Sequence, residues 1–430
     1  MRRYDKYKDS GIEWIGEIPE HWESIRLKYI GYLYGGLAGK SANDFNQESN
    51  FNNKPFIPFT NICNNKIIDP NQLQQVVIEE NEQQNQVAKG DLFFMMSSEN
   101  FDDVGKSSIL LDDLGETYLN SFCKGFRFTN NKYFPPFINY QLLSKAYRSL
   151  VLTEANGYTR INLKIDKIND IPLKIPPTVD EQIAIANYLD KKTAEIDELI
   201  KQKEELLFLF EEEKKAVINN SVTKGINPRV RLKDSEIDWL GEIPEHWEIK
   251  KLKYKVKLIT EKNSSELQKV GLENIESLSG KYIETDSDFE GEGIHFEIGD
   301  ILYGKLRPYL AKVFLADFEG AAVGDFFVLR PAGVVLSSFV KYRLLSTSFT
   351  EISNSSTYGS KMPRVSWEYM SDLFFAWPSI VEQNEIVQYI ENYTTTVNQK
   401  VVTTKRLIEQ LKEYKTALIS EVATGKIKVI

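Results

Sequence analysis

Three histidines and two cysteines are the only imidazoles and thiols in the 430 residues, and their spacing limits what they can do. No cysteine pair stands at metal-ligand spacing, which sets a zinc site aside. Two thiols, Cys63 and Cys123, cannot build a disulfide framework and suit a reducing cytoplasm. His21 and His246 each stand between a glutamate and a tryptophan, with no acid–nucleophile set nearby. Packing or a satisfied hydrogen bond is expected of them, and His295 stands alone. The segment Tyr34-Gly35-Gly36-Leu37-Ala38-Gly39-Lys40-Ser41 approaches a phosphate-cradling Gly-x-x-x-x-Gly-Lys-Ser loop but lacks its first glycine. The polar run 43–53 after it is a poor helix, so a loop is the better reading. Triplets such as Glu248-Ile249-Lys250 resemble nuclease fragments but arise by chance in any charged chain.

The elements that position these residues come in two copies. Ile12-Glu13-Trp14-Ile15-Gly16-Glu17-Ile18-Pro19-Glu20-His21-Trp22-Glu23 returns as Ile237-Asp238-Trp239-Leu240-Gly241-Glu242-Ile243-Pro244-Glu245-His246-Trp247-Glu248, at a uniform shift of 225. A repeat of this length means two copies of one structural unit. Hydrophobic content of 42% and charged content of 27% describe an ordinary globular chain. No apolar run is long enough to span a membrane, and the N-terminus has no signal-peptide core. The net charge is −9 and the pI about 5.3, so any basic surface must be concentrated on one face.

After each motif comes a polar, aromatic-rich region of short strand-like runs, 30–176 and 256–377. Gly90-Asp91-Leu92-Phe93 in the first parallels Gly299-Asp300-Ile301-Leu302 in the second. A helix is expected over 138–152, and its counterpart over 339–349. Each region gives way to a long helix with acids in its first turn, 180–222 and 382–422. Leu189, Ile196, Phe210 and Val217 fall on one seven-residue row interrupted by Lys203, with Leu199 and Leu206 on a companion row. The row recurs 201 residues later as Ile390, Val397, Thr404, Leu411 and Leu418, with Leu407 on its companion row. Two long helices with one apolar stripe each are expected to pair as an antiparallel coiled coil. The fold class is therefore α+β: two strand-rich domains joined by two long coiled-coil helices, a pseudo-twofold internal repeat. The divisions expected are 1–29, 30–176, 177–225, 226–255, 256–377 and 378–430.

The repeated Ile-x-Trp-x-Gly-x-Ile-Pro-x-x-Trp, a variable region, then Pro-Pro-x-x-x-Glu-Gln opening a long helix, resembles the specificity subunit of type I restriction–modification enzymes. The resemblance covers nearly the whole chain. It implies two target recognition domains, each reading half of a split, asymmetric double-stranded DNA site, and a helical spacer between the halves. It also implies partners: two methyltransferase subunits and restriction/translocase subunits, with no membrane. The catalytic chemistry would lie in those partners, which would hold S-adenosylmethionine, ATP and Mg2+, and this chain would carry no cofactor. An adenine methyltransferase needs an Asn/Asp-Pro-Pro-aromatic segment to hold a flipped base. The nearest match, Phe134-Pro135-Pro136-Phe137, begins with a residue that accepts no hydrogen bond.

For a DNA reader the candidates are Lys, Arg, Ser, Asn and aromatic clusters. In the first region they are Lys40, Ser41, Asn61, Asn64, Lys66, Ser97, Ser98, Lys106, Tyr158, Thr159 and Arg160. In the second they are Lys262, Asn263, Lys305, Arg307, Tyr309, Tyr358, Ser360, Lys361 and Arg364. The segments around Arg160 and Arg364 each combine glycine, an aromatic and a base, as suits a loop entering a groove. The competing reading is a two-headed coiled-coil protein scaffold without DNA binding, which the acidic pI favours.

Overall fold

The computed structural model describes residues 2–45, 50–157, 159–263, 267–285, 292–359 and 361–429. The chain divides into two compact units, Met1–Gln202 with Leu407–Ile430, and Lys203–Arg406. Both boundaries fall inside long helices. The first, Val179–Lys224, gives its first half to unit 1 and its second to unit 2; Ile380–Ala423 does the reverse.

Each unit opens on a hairpin made from the repeated motif. In unit 1, Tyr7–Asp9 pairs antiparallel with Glu17–Pro19. The chain reverses at Gly16, whose φ of 68° is open to glycine at no steric cost. Leu232–Asp234, Glu242–Pro244 and Gly241 (φ 58°) repeat the construction in unit 2. The turn buries Ile18 and Trp22 in one unit, Ile243 and Trp247 in the other.

The variable regions are built on antiparallel four-stranded sheets of the same order. Unit 1 arranges Gly31–Gly35, Cys123–Phe128, Leu92–Met95 and Ser107–Ile109. Unit 2 arranges Val256–Ile259, Phe326–Pro331, Ile301–Gly304 and Val313–Leu315. The paralleled Gly-Asp pairs begin matching strands. Buried Asp91 takes both arms of Arg127 at 2.9 and 2.7 Å, and buried Asp300 takes both arms of Arg330 at 2.7 Å each. The second sheets differ, with three strands in unit 1 and four in unit 2.

The helix expected over 138–152 is two helices, Pro135–Leu143 and Lys145–Thr153; its counterpart over 339–349 is Ser337–Leu345 and Thr347–Ser355. Ser144 and Ser346 break them. Each adopts an extended backbone and donates its hydroxyl to a carbonyl three residues back, at 2.7 Å, an alternative to the helical ladder. Phe134-Pro135-Pro136-Phe137 is the start of the first of these helices, where proline is tolerated, and Phe137 is buried.

The long helices pair antiparallel within each unit. In unit 2, Lys214 reaches Asn398 and Lys400 lies over the Phe210 ring, so the numbering of the two helices runs in opposite directions. In unit 1, Asp197 holds Lys415 at 2.6 Å, and Leu189 and Ile196 share a core with Leu418 and Val422. Leu189, Ile196, Ile390, Val397 and Leu418 are buried, and Leu206, Phe210, Val217 and Leu411 half-buried. The companion rows need correction. Leu199 and Leu407 are each 39% exposed, whereas Ile200 is half-buried and Ile408 is 5% exposed. A heptad seam alternates steps of three and four, and here the step after Ile196 is four. Thr193, Ile200, Leu207 and Lys214 carry that row in the first helix, and Thr394, Val401, Ile408 and Lys415 in the second.

Candidate nucleic-acid interface

A repeated clamp holds each motif segment to its long helix. Glu181, in the first turn, accepts the indole N–H of Trp22 at 3.1 Å, binds Nε2 of His21 and accepts the Tyr4 hydroxyl at 3.0 Å. Glu382 accepts the Trp247 indole at 3.0 Å and binds Nε2 of His246 at 2.9 Å. The next residue fastens the loop ahead of the helix. Gln182 accepts the Phe134 amide and donates to the Pro176 carbonyl; Gln383 accepts the Leu336 amide and donates to the Pro378 carbonyl. Trp, His, Glu and Gln thus recur because they join strand region to helix, and both histidines are hydrogen-bonded.

On this frame each unit carries a short hairpin of the same length. In unit 1 the amides and carbonyls of Asn156 and Asn162 exchange hydrogen bonds of 3.0 and 2.9 Å. In unit 2 Tyr358 and Arg364 exchange theirs at 3.1 Å each. The second residue of each loop is glycine, Gly157 at φ 145° and Gly359 at φ 91°. A side chain at Gly157 would meet the Arg160 carbonyl at 2.0 Å. Each hairpin lies against the segment leaving the third strand of its sheet: Ile161 and Asn162 pair with Ser98 and Ser97, and Arg364 bridges to Leu306. This registers Arg160 with Met362 and Asn162 with Arg364, so the two arginines are not counterparts. Tyr158 and Ser360 lie outside the described residues.

Several candidates are engaged inside their own unit. The Lys40 ammonium is buried against Glu82. Ser41 caps a turn with Asp44, whose carboxyl its amide and hydroxyl hold below the usual range. Asn61 is fully buried and exchanges hydrogen bonds with the Asp69 backbone at 2.9 and 3.0 Å. Lys66 binds Asp190 at 2.7 Å and the Tyr140 hydroxyl at 2.5 Å. Lys106 binds Asp103 at 2.6 Å and the Cys63 carbonyl at 3.2 Å. Burial pushes the Cys63 thiol up to about 11.

Most of the remaining described side chains are exposed or half-buried. In unit 1, Asn64, Thr159 and Arg160 are exposed and Ser97 and Ser98 half-buried. The Arg160 guanidinium lies 4.7 Å over the ring of Phe122. In unit 2, Arg307, Tyr309, Tyr358 and Lys361 are exposed. Exposed Lys262 stands 3.6 Å from Glu292, and Asn263 belongs to its short strand. Arg364 grips Asp325 through two bonds of 3.1 and 2.8 Å, which raises its proton affinity; Lys305 stands 3.8 Å from the same carboxylate. Phe122 and Asp325 were not among the expected residues. Nothing in their sequence neighbourhoods marks a cation platform or a shared counterion, because both depend on chain segments brought together by the sheets.

The two units thus share a duplicated frame that bears unlike polar loops. The family model for the type I restriction modification DNA specificity domain matches residues 19–207. The type I restriction enzyme EcoDI specificity subunit of Escherichia coli is 25% identical over 279 residues, 58% of this chain and 62% of its own length. This chain thus spans about three fifths of that curated relative. The crystal structure of the HsdS subunit from Thermoanaerobacter tengcongensis covers 95% of this chain and 98% of its own at 14% identity, with a TM-score of 0.60. A chain from a structural study of complex assembly and conformational transition of the type I R-M system covers 95% and 99% at 12% identity, with a TM-score of 0.68. These two likenesses are of fold. Over the matched residues the chain is thus similar to type I restriction–modification specificity subunits.

Proposed function

We propose that this chain is the DNA-reading, non-catalytic subunit of a type I restriction–modification complex, each unit reading one half of a bipartite, asymmetric site. The observation that carries the reading is the matched pair of hairpins on one repeated frame, with unlike residues at equivalent positions. An identical frame would approach two half-sites alike, while Arg160 with Phe122 on one side and Arg307, Tyr309 and Lys361 on the other would read different bases. The chemistry, methyl transfer from S-adenosylmethionine and ATP-driven translocation with Mg2+, belongs to methyltransferase and restriction subunits that dock on this chain in the cytoplasm.

The net charge of −9 fits this division of labour. Acidic runs such as Glu211-Glu212-Glu213 lie on the long helices, and partner subunits would supply much of the positive field that attracts DNA. The test is methylome sequencing of a host with and without this chain. Loss of one split methyladenine motif supports the reading, and an unchanged methylome rejects it. Exchanging residues 30–176 for those of a relative should alter one half of the motif and leave the other.

A further inference from the structure

We propose that Arg307, on a strained turn with Tyr309, is the base-reading residue of unit 2 and addresses a guanine edge in the second half-site. The inference rests on the DNA-reading function proposed above. Four non-glycine residues among those described have positive φ, and two of them, Arg307 at φ 51° and Ala311 at φ 45°, bracket this single turn. Left-handed backbone is unfavourable for residues with a Cβ and persists only where surrounding structure imposes it.

The frame takes left-handed backbone at the end of this turn in both units, but at its start only in unit 2. Phe94 pairs with Ser107 in unit 1 as Tyr303 pairs with Val313 in unit 2, so Gly105 stands where Ala311 stands. Gly105 takes φ 70° freely, and Ser97 and Ser98 at the start of the unit 1 segment have no positive φ. Unit 2 instead holds its turn with backbone bonds: Arg307 amide to Pro363 carbonyl at 2.8 Å, Leu310 amide to Arg307 carbonyl at 2.9 Å, and Ala311 amide to Pro308 carbonyl at 2.9 Å. The arginine is thereby presented from a rigid base.

Charge separates Arg307 from its neighbours Arg364 and Lys305. Arg364 and Lys305 both face Asp325, which neutralises part of their field and fixes the Arg364 guanidinium in place. Arg307 is exposed and, among the described residues, forms no ion pair. An unpaired guanidinium carried on a fixed backbone can bind O6 and N7 of guanine in a two-bond fork. Tyr309, two residues on in the same turn, is 48% exposed.

The test expresses the full chain with its methyltransferase partner in a host lacking other adenine methylation and sequences the methylome. Wild type should yield a bipartite motif with a guanine in one half. Arg307→Gly should accept other bases at that single position, with discrimination falling about 10- to 100-fold, the other half and the spacing being retained. Its melting temperature should not fall, because glycine relieves the positive φ. Arg307→Lys, which keeps the charge but not the fork, should also relax that position. An unchanged motif in both variants overturns the inference, as does a uniform loss of methylation with base preference intact, the signature of a phosphate contact. If wild type itself writes no chain-dependent bipartite motif, the reading of the preceding section fails instead.

Discussion

Unit 1 and unit 2 share their clamps, their four-stranded sheets and their helix seams, yet differ at a buried position of the same helix. In unit 1, Gln141 donates to the carbonyls of Lys174 and Ala423 at 2.6 and 2.9 Å and accepts the Lys174 amide at 2.9 Å. In unit 2 the same place holds Arg343, 1% exposed. One of its nitrogens reaches Ser346 and Ser348, its plane lies near Trp239 and Phe375, and its Nε and Nη2 have no hydrogen-bond partner among the described residues. The clamps differ too, because Glu181 accepts from Tyr4 as well as Trp22. The comparison teaches that the repeat preserves what joins strands to helix, while the residues filling the frame are free to diverge, in the core as well as on the surface.

The largest effect should come from the tryptophans both units share. Trp22→Ala and Trp247→Ala each empty a fully buried site and should cost about 3–5 kcal/mol in urea denaturation. A tolerant response in one unit alone would break the equivalence. Glu181→Ala should cost about 2–3 kcal/mol and Glu382→Ala about 1–2 kcal/mol, the extra loss reflecting the Tyr4 bond. Equal losses would show that Tyr4 contributes nothing.

Arg343→Gln installs the residue that unit 1 uses. It should stabilise the chain by about 1–2 kcal/mol at neutral pH, since it removes a buried cation without a carboxylate. Burial lowers the Arg343 pKa to about 9. Below that pH the folded chain must hold the charge, and between it and the ordinary arginine range the unfolded chain binds more protons. Wild-type stability should therefore rise as pH climbs past about 9, and the variant should lack that rise. Thermal melts at pH 7 and pH 10 decide it. The smallest and most symmetric effect concerns Asp170 and Asp372. The first is held below its ordinary pKa by Lys28 and Arg26, the second by Lys253 and Lys251. Their contribution is present above the ordinary carboxylate value of 3.8 and lost as pH falls through the depressed folded values. Asp170→Asn and Asp372→Asn should flatten acid melts slightly and alike; a shift confined to one would mark a further asymmetry.

The repeat, the long helices and the seven-residue rows were legible because each is periodic and local. The choice between Leu199 and Ile200 was not, since either fits an apolar stripe and the neighbouring helix decides which turns inward. Ser144 and Ser346 hid their breaks for a related reason: a serine inside an apolar run is compatible with helix until its hydroxyl finds a carbonyl. Among the DNA candidates, residue type alone could not tell Lys40 and Asn61, consumed by Glu82 and Asp69, from Arg160 and Arg307, which face solvent.

By itself the sequence determined that two like units exist, because duplicated motifs are written in one dimension and survive any folding. It also determined where tryptophan, glutamate and glutamine recur, and with them the joints of the frame. Tertiary structure alone decided which cations stay available. Pairing depends on carboxylates such as Asp325 and Glu82 carried in from distant strands, and on a backbone turn that holds Arg307 at a positive φ. Availability is a property of neighbours in space, and spacing along the chain does not encode it.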